Sequence, residues 1–212
     1  MSDLWLPSPA LTGRTHDWLT RPGSLTAHLR RHCPAFNVLR LRQGHAHPHH
    51  DEQDLLHLPR QRWALVREVL LRCGDHPLIF AHSVAPLASI HGPWRALAGL
   101  GNRPLGEALF LNPRIVREPL YYRRLDARHP LYRAAAAAIL NGHDFEKTAL
   151  SMKVLPVPLS PNPSPARGEG RIEKSLRDFY ANAPRQLWAR RARYLLDGAP
   201  LLVSEVFLPG LS

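Results

Sequence analysis

The chain has 212 residues, 44% of them hydrophobic and 21% charged, with two cysteines and a formal net charge of +11, enough for one domain with a sizeable core and at most a small second one. No run reaches the roughly 18 apolar residues that span a bilayer, and the opening MSDLWLPSPALTGR has neither a basic leader nor a long apolar stretch, so a cytoplasmic protein without a membrane span is expected. The arginines are scattered and no aromatic and basic ribonucleoprotein motif occurs, which speaks against nucleic acid and leaves small anions as partners for a basic surface.

In chain order, Pro22 and Gly23 mark a turn, Ser24 is a candidate N-cap, and Leu25 to His32 reads as a short helix halted before Pro34. AFNVLRLRQG alternates apolar and basic residues as a strand with one solvated face does, and the polar GHAHPHHDEQD that follows reads as an exposed loop. QRWALVREVLLRCGDHPLIFAHSVAP has the form of a hairpin turning at Gly74 and Asp75, and GPWRALAGLGNRPLGEALF that of a short helix, a glycine-rich turn and a second short helix or strand entry. LYRAAAAAIL is a strong helix former and SLRDFY a second short helix. Between them residues 152–172, rich in proline and containing Gly168 and Gly170, read as a disordered insertion that buries no core. A final hairpin leads into APLLVSEVFLP, which aligns without a gap on HPLIFAHSVAP and sets His82 against Glu205. Two repeated hairpins suit an antiparallel sheet whose halves face a shared cavity.

Two residues break the alternation. Leu201, Val203, Glu205 and Phe207 fall on one face of the last strand, so a carboxylate interrupts an apolar row. Leu65, Arg67, Val69 and Leu71 repeat the pattern with a guanidinium. An isolated buried charge costs several kcal/mol, so either Arg67 and Glu205 pair with each other or a ligand supplies what they lack. A pocket with a cation at one end and a carboxyl group at the other suits an elongated, carboxylated small molecule. Arg67 can grip a carboxylate through two parallel N–H bonds. Apolar neighbours push the Glu205 carboxyl toward its neutral form while Arg67 nearby opposes this.

The rival candidate is the histidine-rich stretch, where His45, His47, His49, His50, Asp51 and Glu52 could ligate a transition metal. Its spacing matches no defined site, and Pro48 favours an irregular exposed segment, so no catalytic metal is expected. Cys33 and Cys73 stand alone, outside any CxxC or zinc spacing, and read as free thiols. No P-loop, GxSxG or dinucleotide-binding glycine motif is present.

DWL with SLT near the start, WALVREVLLRCGDHPLIFAHSVAP, GNRPLGEALF and LWARRARYLLDGAPLLVSEVFLP together resemble the chorismate–pyruvate lyase family, over residues 14–125 and 186–210. The resemblance implies a single α+β domain, a six-stranded antiparallel sheet with flanking helices over a buried ligand cavity. It implies elimination of pyruvate from chorismate to give 4-hydroxybenzoate for ubiquinone, without metal or organic cofactor, by a monomer. Carried over position by position, Arg67 in LVREVLL takes the ring carboxylate and Glu205 in SEVFLP meets the oxygen at the far end. Leu105 in RPLGEALF and Leu25 in GSLT complete the contacts. His82 stands where the family has arginine, so its contact with ligand is open. The alternative from another class is a non-catalytic domain of similar fold that binds a small anionic effector. A DNA-binding winged helix would precede such a domain in a transcription regulator, and nothing before Leu11 reads as one.

Overall fold

The computed structural model describes residues 4–142 and 184–211. The β-rich runs form one antiparallel sheet of β1 (Phe36–Ala46), β2 (Ala64–Cys73), β3 (His76–Pro86), β4 (Ile115–Arg117), β5 (Tyr121–Leu125), β6 (Leu187–Leu196) and β7 (Ala199–Phe207). Their order is β1-β2-β3-β7-β6-β4, with β5 also paired to β6. The expected count of six is one short because β6 is long enough to take two partners on one edge. Its Tyr194 to Leu196 pair with β4 and its Leu187 to Arg191 with β5.

Both expected hairpins are present, and their turns explain them. Gly74 opens the first at φ 58°, and Asp197 and Gly198 form the second at φ 51° and 79°, the two positive φ values that match a two-residue turn to the strand twist. β3 and β7 lie side by side with Ala81 opposite Glu205 and His82 opposite Ser204. Residues directly opposite share a face, so His82 and Glu205 project to opposite sides, and the gapless alignment that set them together is not the physical register.

β2 and β3 are buried on both faces, which requires a cover on each side. One face carries α1 (Arg14–Thr20), α2 (Leu25–His32), α4 (Leu87–His91) and α5 (Leu105–Leu111). The other carries α6 (Pro130–Gly142), whose Ala135 and Ala136 pack near Leu70 and Phe80, and the short α3 (His50–Gln53). The helix expected from Leu25 to His32 forms at those bounds, with the Ser24 hydroxyl accepting from the Ala27 amide at 3.3 Å. None of the helices among the described residues is long and apolar enough to cross a membrane. The helix expected at SLRDFY and the insertion at 152–172 lie outside the described residues.

Two readings change. GHAHPHHDEQD is no exposed loop: β1 runs on to Ala46, Pro48 is buried, and α3 folds Glu52 completely inside. Cys33 and Cys73 are not free thiols but a disulfide, with Cα atoms 5.8 Å apart. The link joins the C-cap of α2 to the last residue of β2. Its partners are 40 residues apart, and sequence spacing of that kind carries no information about proximity.

Candidate active site

Between the helices and the sheet lies a cavity that β2, β3, β6 and β7 floor with alternate residues: Arg67 and Val69, Ala81 and Ser83, Arg190 and Tyr194, Val203 and Glu205. Leu25 and Leu105, the first residues of α2 and α5, close it from above, and Arg117 and Leu120 line one side. Four of the residues expected to bind ligand, Arg67, Glu205, Leu25 and Leu105, thus meet around one space.

Arg67 is only 2% exposed. Its Nη2 donates to the carbonyls of Gly101 at 3.1 Å and Arg103 at 3.0 Å, in the segment leading into α5. Its Nε–H has no partner, and no carboxylate pairs with the guanidinium among the described residues. Burial, with Arg40 adding like charge, draws its pKa down to about 10, still far above neutrality. The cation is therefore intact, buried and uncompensated, a condition that favours an anionic ligand.

Glu205 is not its counter-ion. The carboxylate accepts from Arg190 Nε at 2.6 Å, the residue directly across β6 and β7. Arg190 is itself buried, and its Nη1 donates to the Leu19 carbonyl at 2.9 Å near the end of α1. Tyr194, two residues along the same face, has its hydroxyl pushed up to about 12 by burial and by the Glu205 charge. Arg190 and Tyr194 escaped the sequence reading, although the turn at Asp197 and Gly198 signals them. Counting back from a two-residue turn pairs 190 with 205, and β6 alternation then adds Ala192 and Tyr194 to that face.

The roof is two short helices pressed together. A Cβ on Gly106 would stand 2.7 Å from Thr26 Oγ1 and 3.4 Å from Ser24 Oγ, so only glycine allows α5 this close to the start of α2. Arg30 and Glu107 form an ion pair across the same joint. The space enclosed is about 40 Å³, room for a few waters and too little for a ring.

His82 contributes nothing to this cavity, because β3 turns it to the other face. There it is buried, with Nδ1 3.0 Å from Glu68 Oε1 and Nε2 3.3 Å from Glu52 Oε1. Burial opposes its charge, but Glu52 and Glu68 prevail and raise its pKa to about 9. Burial likewise works against the Glu52 carboxylate, and His82 and His49 still bring it down to about 2. His49, Glu52 and His82 are the residues here whose atom types suit a metal. His45, His47 and His50 remain on the surface.

A family model described as "Chorismate lyase" matches residues 2–158. A probable chorismate pyruvate-lyase of Thiobacillus denitrificans is 41% identical over 208 residues, covering 98% of this chain and 89% of that protein. One from Aromatoleum aromaticum is 40% identical over 211 residues, covering 98% and 93%. Among solved structures, the PhnF C-terminal domain is 11% identical with a TM-score of 0.45 and covers 84% of each chain. A GntR-family transcriptional regulator from Bacillus cereus is 10% identical with a TM-score of 0.45, covering 83% of this chain and 93% of that one. Likeness at that level carries no argument about what the cavity holds.

Proposed function

The chain belongs to the chorismate lyase family, and from that premise we propose that it eliminates pyruvate from chorismate in the cavity between Arg67 and Glu205, leaving 4-hydroxybenzoate for ubiquinone synthesis. The lining charges suit such a substrate. Arg67, Arg117 and Arg190 against Glu205 leave an excess of two positive charges, matching the two carboxylates of chorismate. The unpaired Arg67 carries the reading, because its free Nε–H and desolvated charge call for a carboxylate that none of the described residues provides.

In this reading Arg67 anchors the ring carboxylate, and Leu25 and Leu105 flank the ring. Glu205 meets the oxygen-bearing end. As the ring C–O bond breaks, the proton of the neighbouring ring carbon passes to the methylene carbon of the departing enolpyruvyl group, whose C–O becomes the ketone of pyruvate, and Arg190 beside Glu205 draws the negative charge growing on that oxygen meanwhile. Aromatisation supplies the driving force and the cavity supplies orientation. The 40 Å³ available cannot take the substrate unless α2 and α5 part, so binding includes a movement of that roof. The partners are chorismate and its products, and the chain acts as a cytoplasmic monomer without a cofactor.

The test is pyruvate and 4-hydroxybenzoate release from chorismate by purified protein, with Glu205→Ala lowering kcat/KM about 100-fold. Tight binding of 4-hydroxybenzoate with no pyruvate from the wild type would favour the effector-binding alternative instead.

A further inference from the structure

Three arginines line the cavity, and they are not equivalent. Arg190 is held by Glu205 and by the Leu19 carbonyl, and Arg67 is sealed inside on β2, toward one flank of the sheet. Arg117 stands on β4 at the other flank, exposed at the rim. With β3, β7 and β6 between them, the two backbones are four inter-strand steps apart, about 19 Å. Both side chains line the cavity, which reduces that span to the length of one small molecule.

Register turns Arg117 to this side of the sheet. It pairs with Tyr194, and residues directly opposite share a face. Its neighbour Glu118 falls on the other face, where it accepts from Arg193 Nε at 2.9 Å and Nη2 at 2.6 Å, so the nearest carboxylate in sequence is spent elsewhere. Arg114 is likewise taken by Asp197, and no carboxylate pairs with Arg117 among the described residues. Its guanidinium carbon lies 5.7 Å from the centre of the Phe110 ring, which α5 contributes to the cavity wall. It also comes close enough to the Tyr194 hydroxyl to oppose, with Arg190, the rise in that group's pKa. Burial and the Glu205 charge prevail, so the hydroxyl keeps its proton at neutral pH and can donate it to a hydrogen bond.

Resting on the lyase reading, we propose that Arg117 is a second substrate-binding residue, taking the carboxylate of the enolpyruvyl group together with the Tyr194 hydroxyl while Arg67 holds the carboxylate of the ring. Chorismate carries that second carboxylate and 4-hydroxybenzoate does not, so Arg117 distinguishes substrate from aromatic product. The charge of this carboxylate is the same before and after the C–O bond breaks. Its contact is therefore as strong in the ground state as in the transition state, and losing it falls on KM rather than kcat. At an exposed rim the contact is also screened by salt, as the buried one at Arg67 is not.

The test is steady-state kinetics with chorismate, together with the inhibition constant of 4-hydroxybenzoate. Arg117→Ala should raise KM about 20-fold, the loss of one charge-assisted contact, with kcat and the inhibition constant each within about twofold of wild type. Tyr194→Phe should raise KM about fivefold, as the loss of one hydrogen bond does. Raising ionic strength about tenfold should increase the wild-type KM and leave that of Arg117→Ala nearly flat. Arg114→Ala removes the same charge from the same surface outside the cavity and should leave KM within about twofold. An unchanged KM in Arg117→Ala, an equal loss of 4-hydroxybenzoate affinity, or an equal rise in Arg114→Ala would overturn this role and leave the lyase reading standing. No pyruvate from the wild type would overturn that reading and this role with it.

Discussion

The two faces of the central strands bury charge in opposite ways, and adjacent residues define both. On the cavity face, Arg67 is a cation with no anion among the described residues, and Glu205 is already taken by Arg190. One residue further on, Glu68 and His82 turn to the other face, where two carboxylates and two imidazoles crowd together. The first face is short of negative charge, and the second sets the His82 charge against the Glu52 and Glu68 carboxylates. A strand's two-residue period lets one hairpin build both without either screening the other. What sets the candidate site apart is therefore the charge left uncompensated, because mere burial of a charge occurs on both sides.

The largest expected effect tests the first half of that contrast. Arg67→Ala should reduce kcat/KM for chorismate about 1000-fold, roughly 4 kcal/mol of lost transition-state stabilisation, with a clearly smaller loss of stability, because the lost packing and the two lost carbonyl hydrogen bonds are offset in part by removal of an uncompensated buried charge. Arg67→Lys should recover little, since an ammonium cannot reproduce the guanidinium's fork. A loss of stability matching the loss of turnover would show that Arg67 is structural and would erase the distinction between the faces.

Next in size, His82→Ala should destabilise the fold by about 3 kcal/mol in urea unfolding, because it leaves Glu52 and Glu68 buried beside each other without the imidazole. Turnover of the folded fraction should stay within about twofold of wild type, as His82 touches nothing in the cavity. A drop in kcat comparable to that of Arg67→Ala would mean that the two faces act as one site.

The sequence carried the cavity face better than the other. Arg67 and Glu205 stand out by alternation alone, since a charge in an apolar row needs only the strand period to be noticed. Leu25 and Leu105 came from the resemblance to the family, because a leucine on a short helix has no local signature of ligand contact. Arg190 was hidden in LWARRARY among arginines that point the other way, and only the strand register separates it from Arg191 and Arg193. His82 was set beside Glu205 by an alignment of repeats, while the strands are offset by one residue, enough to reverse the face. Glu52 lay in a stretch so polar that exposure was the natural expectation; what buries it is α3 folding against β3, a long-range contact. The Cys33 and Cys73 disulfide was missed for the same reason, both cysteines being ordinary until β1 pairs with β2 and brings α2 to the end of that ladder.

That disulfide gives the third prediction. It fastens the roof helix α2 to the cavity face, and closing a loop with partners 40 residues apart corresponds to about 4 kcal/mol in the chain-entropy limit. Residual structure in the unfolded chain reduces this, so Cys33→Ser should cost about 2–3 kcal/mol in stability by denaturant unfolding. Reducing agent should shift the wild type by a similar amount and leave Cys33→Ser unmoved. The His82 cluster on the other face meets the link only through β2, which carries both Glu68 and Cys73; if Cys33→Ser added to the loss of stability in His82→Ala by more than the sum of the two single changes, the faces would be coupled through that strand.

The smallest effect concerns the roof alone. Gly106→Ala places a methyl group 2.7 Å from Thr26 Oγ1, nearer than two unbonded atoms can stay, so α5 must lift away from α2 or Thr26 must turn. Either strains the closed cavity more than the open one. If closing over the substrate is part of catalysis, as a 40 Å³ space requires, kcat/KM should fall about 10-fold, roughly 1.4 kcal/mol, chiefly through kcat. The double variant Gly106→Ala/Thr26→Ser should leave the clash in place, because serine keeps the hydroxyl. Gly106→Ala/Thr26→Ala removes it and should restore most of the activity. Steady-state kinetics of the three variants separates a steric cause from a change in α5 propensity, because alanine is the better helix former at position 106 in every case. Restoration by Thr26→Ala but not by Thr26→Ser would identify the contact between the two helices as the element that must open and close.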